Sequence, residues 1–318
     1  MYWKKTSLVA AMFCILCSTH SNSYSEQTTI TIEIPSSYQT KIAPIIQFLR
    51  MFESLAGQEQ AAQFNSKWIN TKNEHGNTLL HIATVHEDIE TIELLVKNGA
   101  DVNLKSTQGI TPLIIAVSKQ STDLVDALVD LGADVNLKTD CGYAPLALAT
   151  YAECESVVVL LIEAGADLNA LNKNDVSALL VAVRNGNNYI AKKLIEAGAN
   201  VNASDIYGIA PLIVACHNGD INMVQRLLKA NADVNIRTKE GVTPLMIAAS
   251  QGYIAIVKLL IDAEALASLK DNSDNTAESY AAREGYQSIV ALLKERSQPA
   301  APVAPEIVKT NSTEIAQA

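Results

Sequence analysis

Apolar and polar positions repeat along most of this chain with a period of 33 residues. From position 76 onward, glycine or aspartate stands at every thirty-third position without an insertion or deletion. An alanine follows seven positions after each of them, and a leucine follows twelve positions after each alanine. Three columns locked in phase predict copies of one structural unit. The columns are Gly76, Gly109, Gly142, Asp175, Gly208, Gly241 and Asp274; Ala83, Ala116, Ala149, Ala182, Ala215, Ala248 and Ala281; and Leu95, Leu128, Leu161, Leu194, Leu227, Leu260 and Leu293.

The local pattern within a unit predicts two helices. Proline follows threonine or alanine in "TPL" at 111–113 and 243–245 and in "APL" from 144 and 210, which favours a helix start. A short apolar helix is expected next, for example over residues 244–250. A second helix is indicated by apolar residues at helical spacing, such as Ile254, Val257, Leu260 and Ile261. It should end at residues that adopt a left-handed backbone, which are Gly99, Gly132, Gly165, Gly198 and Asn231.

The same stop opens a recurring segment, "GADVN" at 99–103 and 132–136, "GADLN" at 165–169, "GANVN" at 198–202 and "NADVN" at 231–235. Its pattern predicts a helix stop followed by an extended connector that buries an apolar residue. One such unit has too few apolar side chains to offset the entropy of ordering 33 residues. Stacked units bury both of their faces, so we expect a row of units that depend on one another.

These features resemble the ankyrin repeat, whose signature is G-x-T-P-L-H-x-A followed by a leucine-rich helix and G-A-D-V-N. The resemblance covers residues 76–296 and implies an all-α ankyrin-repeat solenoid of stacked helix-turn-helix units with β-turn finger loops. The histidine of the signature occurs only as His81. The hydrogen bonding that this histidine supplies in the family is therefore expected to be mostly absent. Its equivalents elsewhere are Ile114, Ala147, Leu180, Ile213 and Met246.

The repeat phase also predicts the division of the chain. Seven repeats are expected over residues 74–296, starting near 74, 107, 140, 173, 206, 239 and 272. Because Ile69 and Asn70 stand 33 residues before Val102 and Asn103, a degenerate N-terminal capping repeat is expected over residues 42–73. Residues 24–41 are interpreted as an extended or flexible lead-in. Residues 297–318, which begin near QPAAPVAP, are interpreted as a disordered tail.

The first 23 residues have the layout of a secretory signal peptide. Lys4 and Lys5 precede an apolar run at 8–17, and the small residues Ser21 and Ser23 suit cleavage near position 23. The apolar run has about half the length that spans a bilayer, so an uncleaved anchor is the weaker alternative. The sequence therefore predicts a secreted or periplasmic bacterial protein with no integral membrane segment after cleavage.

The net charge limits which classes of partner are expected, and the cysteine count limits how the fold can be stabilised. The formal net charge is −10, and cleavage would make it −12 by removing two lysines. Such an acidic protein repels phosphate backbones, so no nucleic acid partner is expected. Three cysteines would remain, an odd number that cannot form a closed disulfide framework, and stability must come from packing. We expect a monomer.

No arrangement of reactive side chains points to catalysis. His75, His81 and His86 are six and five residues apart, which does not match the spacing of a two-histidine metal site on a helix. Cys216 and His217 are consecutive, whereas a catalytic pair needs side chains that face each other. The sequence predicts a protein that is not an enzyme and needs no metal or cofactor. An uncharacterised enzyme remains the least favoured alternative.

The resemblance implies that partners bind at the finger loops and at the exposed ends of the first helices, on the concave side. In the units that start near 140, 173 and 206, here called the central units, these positions are aromatic and aliphatic, with an arginine and a histidine among them. Flanking units carry polar residues there. Side chains of this kind are typical of binding hot spots, although the tyrosines could instead cover the core of their own repeat. The expected binding residues are Asp140, Tyr143, Tyr151, Val176, Arg184, Ile206, Tyr207, Ile209 and His217.

The sequence thus predicts an exported, non-catalytic scaffold that binds a partner protein through its concave face. Two biological versions stay open: an effector that engages a host protein, and an envelope factor that protects or scaffolds a periplasmic enzyme.

Overall fold

A computed structural model describes residues 69–297 of the chain. The predicted signal peptide, the lead-in, nearly all of the capping repeat and nearly all of the tail lie outside this range, so those boundaries remain predictions. Within the described part, none of the helices has the length and apolarity needed to cross a bilayer.

The described residues form helices joined in pairs, and no strand occurs among residues 69–297. This architecture confirms the predicted all-α stack of helix-turn-helix units. The pairs are α1 (Leu79–Val85) with α2 (Ile89–Lys97), α3 (Pro112–Lys119) with α4 (Thr122–Asp130), α5 (Pro145–Tyr151) with α6 (Glu155–Glu163), α7 (Ala178–Arg184) with α8 (Asn188–Glu196), α9 (Pro211–Asn218) with α10 (Ile221–Lys229), α11 (Pro244–Ser250) with α12 (Ile254–Asp262), and α13 (Ala277–Arg283) with α14 (Gln287–Ser297).

Two local signals mark the starts of the first helices. Proline occupies the first turn of α3, α5, α9 and α11, where its missing N–H would have had no partner. Hydroxyl caps occur with and without this proline: Thr111 and Thr243 accept from the N–H groups of Ile114 and Met246, both at 3.3 Å. In units without the proline, Ser177 accepts from the Leu180 N–H at 3.2 Å and Thr276 from the Ser279 N–H at 3.3 Å. Each side-chain cap contributes about 1 kcal/mol.

The alanine and leucine columns form the seams of the stack. Every alanine of the column is at most 1% exposed, and every leucine of its column is at most 2% exposed. First helices of neighbouring pairs contact one another more extensively than second helices do, because alanine lets the backbones approach closely. The first helices therefore lie on the inner, concave side. One apolar position differs from expectation: Ile254, at the start of α12, is exposed.

The recurring "GADVN" segment joins each unit to the next through hydrogen bonds that its pattern did not reveal. Its valine and asparagine lie in a turn, so the predicted extended backbone is wrong there, whereas the predicted burial of an apolar residue is confirmed at Val102, Val135 and Val201. The aspartate side chain accepts from the N–H of the segment's own asparagine, as Asp101 does from Asn103 at 2.8 Å. The asparagine then accepts from the backbone N–H of the following unit, as Asn103 does from Asp134 at 2.8 Å.

This asparagine ladder runs the length of the described stack. Six asparagine side chains accept from a backbone N–H 31 residues further on, at 2.7 to 2.9 Å. Its first member is Asn70, the position from which the repeat phase was extended backwards, and Ile69 beside it is fully buried. The bonded pairs are Asn70 with Asp101, Asn103 with Asp134, Asn136 with Asp167, Asn169 with Asn200, Asn202 with Asp233, and Asn235 with Leu266.

Left-handed backbone occurs where the sequence predicts helix stops, and also at a column that it did not predict. The stops at Gly99, Gly132, Gly165, Gly198 and Asn231 all have positive φ, which confirms the prediction. The unpredicted column lies between the two helices of each unit. Its first three members are not glycine, and each of these costs about 1 kcal/mol or more in this conformation. The column is Glu87, Gln120, Glu153, Gly186, Gly219, Gly252 and Gly285.

We expect the last helix pair to open before the central ones. Glu264 (φ 67°) and Asp274 (φ 62°) hold left-handed positions that glycine fills in most other units. Of the described pairs, α13 with α14 also has a described neighbour on one side only. Native-state hydrogen exchange should therefore show weaker protection over residues 281–293 than over residues 215–227. Equal protection of the two segments would contradict this expectation.

His81 connects the first two described pairs. Its Nε2–H donates to the Ile110 carbonyl at 3.0 Å, and its Nδ1 accepts from the Thr78 N–H at 3.2 Å. Desolvation by burial lowers the pKa of His81 below its usual 6.5, although the bond to Ile110 partly opposes this shift. The neutral ring is therefore the form that the fold favours, in agreement with the structural role predicted for this histidine.

This pKa shift predicts that acid weakens the first described pairs. Because the pKa is lower in the folded state, the contribution of His81 is fully present above about pH 6.5 and is lost as pH falls through the folded pKa. Protection factors in α1 and α3, which correct for the slower intrinsic exchange at low pH, should fall between pH 7.5 and about pH 5. The control is His81→Leu, since Leu180 occupies the same position in another unit. The variant should lack this pH dependence, and an equal acid response in both proteins would exclude His81 as its origin.

Candidate functional site

The structure exposes some of the predicted binding residues and buries others. Asp140, Arg184, Tyr207 and His217 are exposed, and Tyr151, Ile206 and Ile209 are partly exposed. Tyr143 and Val176 are buried, with 7% and 6% of their surface exposed, so the expectation that they lie on the surface is wrong. Both follow the turn glycine column by one position, where the side chain packs against the core. The candidate surface is therefore smaller than predicted, and it centres on Tyr207, Arg184 and His217.

Tyr143 and Tyr151 form an aromatic pair at one edge of this surface. Their ring centroids are 5.6 Å apart and the rings meet edge to face at 71°, an arrangement that adds to the energy of burial. Burial raises the pKa of Tyr143, as does its hydrogen bond to Tyr151. Burial also raises the pKa of Tyr151, and the charge of Arg184 acts in the opposite direction. Both hydroxyls therefore stay neutral at physiological pH. This pair supports the alternative that the tyrosines cover their own repeat.

Arg184 links two central units through an ion pair. Its guanidinium Nη2 donates to Asp205 Oδ2 at 2.5 Å, and the Arg184 side chain is 34% exposed while that of Asp205 is 4% exposed. Arg184 ends α7, whereas Asp205 belongs to the turn before α9. The buried carboxylate holds the guanidinium in place at the surface. One face of Arg184 is thus committed to the fold, and its exposed part can contact a partner.

Asp205 also holds the turn that carries Tyr207. Its Oδ1 accepts from the backbone N–H groups of Tyr207 and Ile209, both at 2.9 Å. Because the same carboxylate fixes Arg184 and this turn, their relative position is set by one buried residue.

Asp205 belongs to a column that the sequence interpretation missed. Every thirty-third position from 73 carries a residue with a side-chain oxygen, and each of these accepts at least one backbone N–H in its turn. Asparagine, aspartate, serine and threonine are the residues that make such bonds. This column can be recognised in the sequence, because each member stands three positions before a member of the turn glycine column. Its members are Asn73, Ser106, Thr139, Asn172, Asp205, Thr238 and Asp271.

The turns of the central units are tied to their neighbours by backbone bonds. The N–H of Ile206 donates to the Asn174 carbonyl at 3.1 Å, and the N–H of Lys239 donates to the Tyr207 carbonyl at 2.9 Å. With its backbone held on both sides, Tyr207 projects a side chain that is 53% exposed. A tyrosine on a backbone that is already held loses little backbone entropy when it binds, which suits it to anchor a contact.

The titratable groups nearby do not form a reactive pair. Cys216 is fully buried, and burial raises the pKa of its thiol to about 12. His217, the next residue, is exposed. The two side chains therefore point to different environments, as their consecutive positions predicted. Residues 69–297 contain no group of three histidine, cysteine or acidic side chains that could hold a metal ion.

A family model of ankyrin repeats (3 copies) matches residues 47–139, 80–172, 131–205 and 212–301, and a model of ankyrin repeats (many copies) matches residues 185–228. The chain is similar to the ankyrin repeat domain of Bcl-3, a member of the IkappaB protein family, with 30% sequence identity and a TM-score of 0.62. This similarity covers 70% of this chain and 100% of the Bcl-3 chain. No curated protein matches the sequence.

Proposed function

Because the chain belongs to the ankyrin-repeat family, we propose that it is an exported scaffold that binds a partner protein through the concave surface of its central units. Proteins of this family are generally interaction domains without catalytic activity. The proposal takes the binding surface to be Tyr207 with Ile206 and Ile209, flanked by Arg184 and His217.

The observation that carries the proposal is the exposure of Tyr207 on a turn held by neighbouring units. An exposed tyrosine beside aliphatic side chains and an arginine has the composition of a protein-binding hot spot. In other units the position equivalent to Tyr207 carries a polar residue, for example Gln108 or Glu240. This difference supports placing the binding surface at Tyr207. Arg184 adds a positive charge that is held by Asp205 and is therefore available in one orientation.

Affinity capture with the mature protein tests this surface. We expect Tyr207→Ala with His217→Ala to reduce recovery of the specific partner at least about tenfold, because exposed anchors of this kind contribute about 2 kcal/mol or more. Both residues are exposed, so the fold should be preserved. The matched control is Leu266→Ala, which removes a large side chain that is 53% exposed, as Tyr207 is, in the connector after α12. Undiminished recovery by the first variant, with an unchanged circular dichroism spectrum, would remove the concave surface from consideration.

The export part of the proposal rests on the sequence of residues 1–23. Separation of cells into cytoplasm, periplasm and medium distinguishes its two versions. Protein in the medium would favour an effector that engages a host protein, and protein in the periplasm would favour an envelope factor. Protein that stays in the cytoplasm would contradict export.

A further inference from the structure

Helix α6 differs from the other second helices on the face that points away from the stack. Val159 and Leu160 are partly exposed there. The position of Val159 carries a polar residue or alanine in every other described second helix, whereas the position of Leu160 carries leucine again in α2, α12 and α14 and lysine in α8. The opposite face of α6 is buried, through Val157, Val158 and Leu161. This helix is therefore apolar on both faces. In globular proteins, a helix that is apolar all round is normally covered on all sides.

The apolar outer face of α6 lies at the floor of a recess of about 910 Å³ that is formed with residues of α4 and α8. The exposed ring of Tyr189 forms one wall. Four carboxylates line the recess, Asp126, Glu153, Glu155 and Glu163, and no lysine or arginine does, although Lys193 Nζ lies beside it, 5.8 Å from the ring centroid of Tyr189. The recess thus combines an apolar floor with a negatively charged rim.

Charge is distributed unevenly along the described chain, and the recess lies where the negative charge is concentrated. Residues 69–175 contain sixteen acidic and six basic side chains, whereas residues 176–297 contain twelve of each. All the carboxylates of the recess belong to the acidic part. An excess of one sign around a recess draws in ligands of the opposite sign.

We propose that this recess is a second docking surface, on the side opposite to the concave surface, and that it takes a basic amphipathic helix of a partner protein. Leucine-like side chains of such a helix would cover Val159 and Leu160, while its lysines or arginines would meet the rim carboxylates. Complementary charge favours this occupant over the chain's own tail, since residues 297–318 carry two glutamates and one lysine. The proposal does not depend on the concave surface.

A synthetic peptide tests the proposal on the full chain. The probe is a helical peptide of about 18 residues with leucines on one face and lysines on the other, and its counterpart carries glutamate in place of lysine. Titration calorimetry at about 150 mM salt should show saturable binding of the lysine peptide and none of the glutamate peptide. Val159→Lys with Leu160→Lys should raise the Kd at least about tenfold. The fold should tolerate the change, because α8 has lysine at both equivalent positions.

The control separates this recess from a general attraction to an acidic protein. Glu93→Gln with Glu295→Gln raises the net charge by the same amount at exposed positions outside the recess, and it should change the Kd less than about twofold. Equal weakening by both variants, or no saturable binding to the unchanged chain, would overturn the proposal. A dimer of the chain that disappears in the double lysine variant would also overturn it, by showing that a second copy fills the recess. Tyr207→Ala should leave peptide binding unchanged, which separates this test from that of the proposed function.

Discussion

Replacement of Ala182 by leucine is expected to lower the free energy of unfolding by about 3 kcal/mol. Ala182 lies in α7 and is fully buried, and Ala149 and Ala215 occupy the same position in the neighbouring first helices. The close approach of these helices leaves no room for three more carbon atoms. The stack would have to move apart or force the new side chain out of its preferred rotamer. Urea-induced unfolding, followed by far-ultraviolet circular dichroism, measures the effect.

The control for this prediction is Ala197→Leu in the same unit. Ala197 follows α8 and is exposed, so the added atoms meet solvent and stability should change by about 0.5 kcal/mol or less. A similar loss of stability in both variants would mean that the larger side chain acts through helix propensity or the unfolded state. A small effect at Ala182 alone would show that the alanine column is not a packing constraint.

Asp205→Ala is expected to destabilise the protein by about 2 to 3 kcal/mol. The substitution removes the acceptor of two backbone N–H groups, those of Tyr207 and Ile209, and it leaves Arg184 without its ion-pair partner. The ion pair itself contributes less than a fully buried one, because the arginine is about one third exposed. Most of the loss should therefore come from the turn.

Asp205→Asn separates the two contributions. Asn172 occupies the same position in the preceding unit and accepts from the N–H groups of Asn174 and Val176 at 2.8 and 3.0 Å. An asparagine at 205 should therefore keep the turn and lose only the ion pair, with a cost of about 1 kcal/mol or less. If the asparagine variant were as unstable as the alanine variant, the ion pair would be the larger contribution, contrary to this expectation.

The sequence predicts the repeating architecture because its determinants are local. Helix starts at Pro112 or Pro244, left-handed stops at Gly99 or Gly132, and apolar spacing within one helix all act over a few residues. The alanine and leucine columns add a longer-range signal, since their regularity implies that equivalent positions meet at the same seam. All of these features are present in the described residues.

Features that depend on contacts between units were not predicted. The asparagine ladder joins residues 31 apart, and its geometry is set by the turn that replaces the expected extended connector. The ion pair of Arg184 with Asp205 likewise connects different elements. By contrast, the turn column that includes Asp205 was readable from residue types alone, because every thirty-third position carries a hydroxyl, amide or carboxylate.

For the candidate surface too, the sequence predicted some side-chain environments correctly and others wrongly. Position in the repeat correctly indicated that Tyr207 and His217 are exposed. It gave the wrong environment for Tyr143 and Val176, because the residue after the turn glycine packs inward in both units. Large apolar side chains at a variable position are equally compatible with a binding surface and with local packing, and burial distinguishes the two.

The central claim is that these units are stable only as a stack. Circular dichroism of a synthetic peptide that contains residues 173–205, one complete unit, tests it most directly. The peptide keeps both helices of its unit but loses every seam contact and every ladder bond to its neighbours, so its ordering entropy is not offset. It should give the spectrum of an unfolded chain under conditions in which the whole protein is helical. A helical spectrum with cooperative thermal unfolding in the isolated peptide would contradict the claim.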